Sequence, residues 1–340
     1  MARDKKQLPT ISDVARLANV SRATVSRAFG RPHLIGEDTV QRVHLAAKEL
    51  GYQPNQTARA LSTGRHTNIA IVVPDVANPF FPPLIRAAQA GADAAGYSVF
   101  LGDSDEDAAR EHTLMQRLAL QVEGFILASS RMPDEQIVEL AERRPLVLIN
   151  RDTPGISRVL IDTAAGISAA VEHLAALGHR LIVYVSGPSA SWSDQERRRA
   201  LKRATKKAGM ESLAIGARRA TFEAGRQVVA EVRATGATAA ITFDDLVAHG
   251  LLAGLLENGV SVPQGFSVIG CDDVLGASTF PALTSVSARC DTAGQIAFDL
   301  LMKAMQGTDE ADVRCVLETR LVVRATTGEA RPPQRSTRRR

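Results

Sequence analysis

At 340 residues the chain has room for two or three domains, each with its own core. No run of about 18 apolar residues occurs, residues 1–20 contain no apolar stretch of signal-peptide length, and the three cysteines (Cys271, Cys290, Cys315) fall in no ligand pattern. A chain retained in a reducing cytoplasm, outside any membrane, is therefore expected. The net charge of +4 is unevenly spread: residues 1–66 carry 11 Lys/Arg against 5 Asp/Glu, residues 331–340 carry 5 Arg and no acid, and residues 67–330 carry 25 basic against 32 acidic side chains. A basic head on an acidic body suits a DNA-binding module joined to a part that does not bind DNA.

The first predicted element opens at Thr10. Thr10-x-x-Asp13 has capping-box spacing, with Asp in place of the longer Glu, and Val14, Ala15 and Ala18 recur on one helical face. Asn19-Val20 makes a tight turn. Ser21 then caps a second helix that buries Val25, Ala28 and Phe29 and turns Arg22, Ala23, Ser26 and Arg27 outward. Gly30-Arg31-Pro32 ends that helix. A third amphipathic helix runs from Asp38 to Leu50 (Val40, Val43, Ala47, Leu50) and is closed by Gly51. Three short helices on one small core predict a helix-turn-helix module over residues 1–53.

Residues 54–66 read as a link. Pro54 opens it and Gly64 closes it, and the seven or so helix-compatible residues between are too few to hold a helix in water unaided. Leu61 stands alone in this polar segment, where it is either a contact waiting for a partner or an incidental leucine in a flexible linker.

From residue 67 to 330 the pattern changes to alternating strands and helices. Ile69–Val73, Ser98–Gly102, Phe125–Ala128, Leu146–Ile149, Leu181–Val185, Ala239–Phe243 and Val268–Gly270 are short apolar runs of the kind found in parallel strands buried on both faces. Amphipathic stretches lie between them, including Pro83–Gly96, Ala164–Gly178, Gln195–Ala208 and Asp245–Gly259. The fold class is accordingly an all-α helix-turn-helix head followed by an α/β body of two doubly wound subdomains, the chain crossing between them near residue 160 and again close to the C-terminus. Ligands of such sheets bind beyond the carboxyl ends of the strands. The polar and aromatic residues at those ends are Asn78, Phe80, Asp103, Asn150, Arg151, Asp162, Asp244 and Asp272, joined by Arg197 and Phe222. Carboxylates, amides and guanidinium forks pair with sugar hydroxyls, and the rings of Phe80 and Phe222 suit the apolar face of a pyranose. Asp103, Asp162 and Asp244 equally stand where a helix N-cap would, and Asp245 reads as a cap or a supporting residue.

The string T-I-x-D-V-A-x-x-A-x-V-S-x-x-T-V-S-R beginning at Thr10 resembles the lactose-repressor (LacI/GalR) family of bacterial transcription regulators, and the resemblance extends from about Thr10 to Thr327. It implies that Arg22, Ala23 and Arg27 read base edges, the two arginines by bidentate forks to guanine and Ala23 by a thymine methyl. Thr10, Ser21, Thr24 and Ser26 would contact the DNA backbone. The pattern Asn55, Ala58-Arg59, Leu61 resembles the family's hinge helix, which implies that Leu61 wedges into the minor groove when a dimer sits on its operator. The body resembles a periplasmic sugar-binding protein, which implies effector contacts at Asn78, Phe80, Asn150, Arg151, Asp162, Arg197, Asp244 and Asp272. Asp244 stands where the family usually has Asn, and Ala288 where it often has Gln. An acid there loses the amide's two donors, so the effector is not expected to be a common hexose.

Glu172-His173 and Gly178-His179 have no regular ligand spacing. No Gly-x-Ser-x-Gly elbow, phosphate loop or Gly-x-Gly-x-x-Gly occurs. Neither a metal nor a cofactor is expected, and no reactive pair points to an enzyme. The tail 331–340 reads as a disordered, Arg-rich end without leucine heptads, so no tetramerising coil is expected. The expected protein is a homodimeric repressor of a near-palindromic double-stranded operator, controlled by a sugar or polyol effector through a coupling of roughly 1–3 kcal/mol. The alternative is a sugar receptor without a regulatory role, which would need export and has no use for the head.

Overall fold

The computed structural model describes residues 9–53, 66–217, 219–308 and 312–330. The chain divides into two compact units, Met1–Thr67 and Asn68–Arg340. The link residues Asn55, Ala58 and Leu61 and the tail 331–340 lie outside the described residues.

The first unit is built from α1 (Ile11–Leu17), α2 (Arg22–Gly30) and α3 (Glu37–Leu50). Its core is Val14, Ala15, Ala18, Val25, Ala28, Val43, Ala46 and Ala47, rimmed by Phe29, Ile35, Leu50 and Tyr52. At the start of α1 the Asp13 carboxylate reaches back to accept from the Thr10 N–H (2.9 Å) and hydroxyl (2.7 Å). Asn19 takes a left-handed φ of 53° to make the turn. Gly51, at φ 67°, stops α3 by turning the chain back.

The second unit contains twelve strands among the described residues: β1 (Asn68–Val73), β2 (Ser98–Asp103), β3 (Phe125–Ala128), β4 (Leu146–Ile149), β5 (Arg158–Asp162), β6 (Leu181–Ser186), β7 (Glu211–Gly216), β8 (Ala239–Thr242), β9 (Ser267–Asp272), β10 (Thr284–Ser287), β11 (Arg314–Glu318) and β12 (Arg320–Val322). They form two six-stranded sheets, ordered β11-β5-β4-β3-β1-β2 and β12-β10-β9-β8-β6-β7. Every pairing is parallel except β10 with β12.

The continuous apolar runs are explained by helices on both faces of each sheet. In β1, Ile69, Ile71 and Val73 face one core, with Leu84, Ala88 and Ala92 of α4 (Phe81–Ala94) and Phe298 and Leu301 of the long helix Cys290–Gln306. Ala70 and Val72 face another, with Met115 and Ile137. In β6, Val183 and Val185 pack with Leu251 and Leu255, while Ile182 and Tyr184 pack with Leu174 and Leu201.

The chain passes between the sheets three times, once more than the sequence predicts. It leaves the first sheet after β5 and returns after β10, when Cys290–Gln306 packs on β3, β4 and β5. It leaves again between β11 and β12. Thr319, in that last passage, donates from Oγ1 to the Asp162 carbonyl (2.8 Å) and accepts from Gly166 N–H (3.2 Å), which ties the first passage to the third. The paired His179 ring and Gly328 carbonyl (3.1 Å), with Thr238 Oγ1 on the other ring nitrogen (2.6 Å), clamp the C-terminal segment to the second sheet. Among the described residues no helix is long and apolar enough to cross a membrane, and no group of three or more metal-ligating side chains occurs.

Candidate nucleic-acid interface and ligand cleft

On α2 the buried side is Val25 and Ala28, and Ser21, Arg22, Ala23, Ser26 and Arg27 are exposed. The Ser21 hydroxyl caps the helix by accepting from Thr24 N–H (3.0 Å), and it lies 2.9 Å from the Thr24 hydroxyl. That cap leaves the free N–H groups of the first turn, the positive end of the helix dipole, next to Arg22. No acid stands in that turn. Among the described residues nothing binds the Arg22 or Arg27 guanidinium, so both forks are open to acceptors from outside. Thr10 is exposed at the start of α1, its hydroxyl already on Asp13.

In the second unit a cavity opens at the carboxyl ends of strands from both sheets. It is lined from the first sheet by Asn78, Phe80, Phe81, Glu106, Ser129, Arg131 and Asn150, and from the second by Ser191, Ser193, Arg197, Phe243, Asp244 and Asp272. Its empty space, open mouth included, is about 370 Å³. Four lining residues, Glu106 (φ 62°), Ser129 (φ 50°), Asn150 (φ 53°) and Asp272 (φ 113°), have backbones in the left-handed region. Such positions cost on the order of 1–3 kcal/mol each and gather where a fold aims side chains at a ligand. Local bonds hold them. The Asn150 Oδ1 accepts from Ile161 N–H (3.0 Å), and Ser129 N–H donates to the Ile149 carbonyl (2.7 Å).

Two guanidinium groups shape the walls. Arg131 bonds Glu106 through Nε (2.5 Å) and Nη2 (3.1 Å) and the Ser129 carbonyl through Nη1 (2.7 Å). Arg197, 3 % exposed, projects from the helix Trp192–Ala208 and lies over the Phe243 ring, 5.0 Å from its centre. Its Nη1 donates to the Phe243 carbonyl and its Nη2 to Asp272 Oδ1 (3.1 Å), while its buried Nε has no partner among the described residues. Asp244 accepts from Val247 N–H (2.8 Å), capping the helix Asp245–Glu257, and from Asn78 Nδ2 (2.8 Å) across the cleft. Burial pushes its carboxyl up to about 6 against those two donors. Behind it, burial lifts Asp245 to about 7, although Ser285 Oγ (2.6 Å) and Val274 N–H (3.1 Å) donate to it. A Cβ on Gly270 would collide with Asp245 Oδ1, so only glycine fits there.

The structure thus brings together Asn78, Phe80, Asn150, Arg197, Asp244 and Asp272. It does not place Asp103, Arg151, Asp162 or Phe222 on the cavity wall. Asp103 accepts from Val76 N–H (3.3 Å) and Asp105 N–H (2.8 Å) and orders two loops. Asp162, one residue ahead of Thr163, the N-cap of the helix Ala164–Ala176, accepts from Ala164 N–H (2.8 Å). Arg151 turns to Asp134 (2.8 Å). Phe222 is 42 % exposed in a separate apolar groove with Leu256 and Phe280. Sequence reasoning missed Glu106, Ser129, Arg131, Ser191, Ser193 and Phe243. The strand-end rule that found Asn150 also reaches Ser129 and Arg131, which follow β3, while Glu106 lies three residues beyond the end of β2.

Residues 10–55 match the model of bacterial regulatory proteins of the lacI family, and residues 171–327 match that of the periplasmic binding protein-like domain. The chain is 30 % identical over 335 residues to the HTH-type transcriptional repressor CytR of Escherichia coli (strain K12), covering 96 % of this chain and 98 % of that protein. It is 31 % identical over 325 residues to the ribose operon repressor of Halalkalibacterium halodurans, covering 94 % and 97 %. The crystal structure of the Lac repressor dimer bound to operator and the anti-inducer ONPF superposes with a TM-score of 0.85 at 26 % identity, covering 95 % of this chain and all of that one. With its helix-turn-helix head, two parallel sheets and matches along nearly its whole length, this chain belongs to the LacI family of bacterial regulatory proteins, which are DNA-binding transcription regulators and not enzymes.

Proposed function

We propose that the chain is a cytoplasmic, homodimeric repressor whose hold on a near-palindromic operator is set by a small polyhydroxylated effector in the cleft between the two sheets. The observation that carries this is the cleft itself: polar side chains from both sheets converge on one cavity, and a single buried hydrogen bond, Asn78 to Asp244, joins the walls directly. A ligand that bridges those walls resets the angle between the subdomains, and that angle is what a second site elsewhere in a dimer can sense.

In the head, Arg22 and Arg27 are the base readers, Ala23 contacts a thymine methyl, and Thr10, Ser21, Thr24 and Ser26 set the register on phosphates. The Asn55, Ala58 and Leu61 pattern in the link is assigned to the minor groove on the sequence alone. In the cleft, Asn78, Asn150, Arg197, Asp244 and Asp272 are assigned to hydroxyls and Phe80 to the apolar face. Arg131, Glu106 and Ser193 join them. The groove holding Phe222, Leu256 and Phe280 (42, 75 and 103 % exposed) is the surface offered to the second copy.

The test is a gel shift of the full-length protein on the DNA upstream of its own gene, at two salt concentrations, with and without a panel of sugars and polyols. Retention on that DNA over random DNA, with one panel member changing it, is the expected result. Equal retention on both DNAs, unchanged by any member, overturns the reading.

A further inference from the structure

The cleft contains an electrostatic imbalance. Five of its lining residues are ionisable: Glu106, Asp244, Asp272, Arg131 and Arg197. Glu106 is matched by the two-pronged bond from Arg131, and Asp272 by Arg197. Asp244, 1 % exposed, is in no ion pair among the described residues, and the cation whose field reaches it, Arg197, is already paired with Asp272. The donors to Asp244 are neutral, an amide side chain and a backbone N–H. Asp245 stands directly behind it, and Glu106 adds a second negative field from the opposite wall. A buried carboxylate without a counter-charge is costly, and one supplied by a ligand relieves that cost only while the ligand is bound.

A second, independent observation concerns the opposite polarity. The Nε–H of Arg197 is a donor on a residue 3 % exposed, lining the same cavity, with both Nη atoms engaged and Nε unpaired. Donors of this kind are satisfied in the great majority of folded proteins, so this one points to an oxygen acceptor on the occupant. The occupant must therefore present an oxygen at Arg197 and a positive charge at Asp244. The rings of Phe80, Phe81 and Phe243 complete the walls and suit a compact, partly apolar frame.

We propose that the effector is an amine-bearing polyol, an amino sugar or aminopolyol, whose ammonium binds Asp244 in place of the Asn78 amide and whose hydroxyl or ring oxygen accepts from Arg197 Nε. This rests on the effector-cleft reading above and adds the charge of the ligand to it. The Asp at position 244, where an amide would serve a neutral sugar, is the specificity-determining residue.

The test is isothermal titration calorimetry of the full-length protein at pH 7.0 with matched probes: D-glucosamine, D-glucose and N-acetyl-D-glucosamine; D-galactosamine and D-galactose; 1-amino-1-deoxy-D-glucitol and D-glucitol. In at least one set the amine is expected to bind about tenfold or more tightly than its neutral partners, a difference of about 1.4 kcal/mol. Asp244→Asn, which keeps the helix cap and a polar contact to Asn78, is expected to bring that ratio to about one. The probe sets vary the charge without altering the protein, so the comparison stands even if the variant misfolds. Neutral members binding as tightly as the amines overturn the amine, and an amine preference that survives Asp244→Asn overturns Asp244 as its partner; both leave the effector cleft standing. Binding of no probe by a protein that still responds to another metabolite overturns the amine-polyol class. Binding of no probe by a protein unresponsive to any metabolite overturns the cleft reading with it.

Discussion

Asn78, beyond the end of β1 in the first sheet, donates from Nδ2 to Oδ2 of Asp244, beyond the end of β8 in the second, across 2.8 Å. The two residues are 166 positions apart in sequence and both are buried. A second tie, Arg219 to Asp105, crosses the same gap but has both side chains about half exposed. Exposed ion pairs contribute roughly 0–1 kcal/mol, whereas a buried acceptor stripped of its donor costs about 1–3 kcal/mol, so of these two ties the Asn78 bond is the stronger.

Asn78→Ala is therefore expected to lower the stability of the body by about 1–3 kcal/mol. The chain has one tryptophan, Trp192, at the start of a helix bordering the cleft, so its fluorescence in urea reports this unit. An unchanged midpoint would show that the bond is not made in solution. Arg219→Ala is expected to move the midpoint far less.

Asp245 gives a pH signature. Its carboxyl, lifted by burial from an ordinary 3.8 to about 7, keeps a proton in the folded body that the unfolded chain releases, so its contribution to stability falls as pH rises from about 4 through 7. Half-buried His173 and buried His179 are lowered by burial and have the opposite slope, their stabilisation being lost as pH falls below 6.5. The difference between wild type and Asp245→Asn isolates the carboxyl, because the amide reproduces the protonated acid toward Ser285 and Val274. The variant is expected to gain about 2–3 kcal/mol on wild type between pH 5 and pH 8 in urea unfolding. A difference that does not vary with pH would mean that Asp245 stays ionised.

Arg197→Met leaves Asp272 buried without its partner and is expected to cost about 3–5 kcal/mol. Adding Asp272→Leu removes the stranded charge and is expected to recover a large part of that loss. If the double variant were no more stable than the single one, packing over Phe243 rather than charge pairing would be the main role of Arg197.

The head offers a separation of roles. Ser21→Ala removes the cap on Thr24 and is expected to lower the stability of the first unit by about 1 kcal/mol. Arg27→Ala touches nothing in the described fold and is expected to leave the melting of that unit unchanged while weakening operator binding by about 1–3 kcal/mol and relaxing preference at one base pair. Equal losses on operator and random DNA would make Arg27 a phosphate contact.

Leu256→Asp places a charge in the exposed apolar groove with Phe222 and Phe280. Sedimentation velocity is expected to shift from dimer toward monomer, with no change in body stability at a side chain already 75 % exposed. A variant that stays dimeric moves the interface elsewhere.

Much of this architecture can be read directly from the chain, because its strongest signals are local. Thr10, Asn19, Ser21 and Gly51 punctuate the head through bonds and backbone angles within a few residues of themselves. Phe125–Ala128 and Leu146–Ile149 are legible to the residue because strands covered on both faces must be apolar throughout. Strand β10, Thr284–Ser287, gives no such signal although its first three residues are buried, since the hydroxyl of Ser285 is satisfied by Asp245, 40 positions away. The edge strand β7 is mostly exposed, and its apolar run, Leu213 to Ile215, is too short to stand out from a loop.

Sequence alone determined the class of the molecule, a basic helical head and a doubly wound acidic body, because caps, periodicity and charge are properties of neighbouring residues. Which strand-end side chains share one cavity was decided only by the tertiary structure. Asp103, Asp162 and Asp244 are equivalent on paper, each an acid at the end of a strand, but two of them turn to nearby backbone N–H groups and the third meets Asn78 from the other sheet. That outcome depends on how three chain crossings set two sheets face to face, a geometry produced by the packing of the whole body and carried by no single segment.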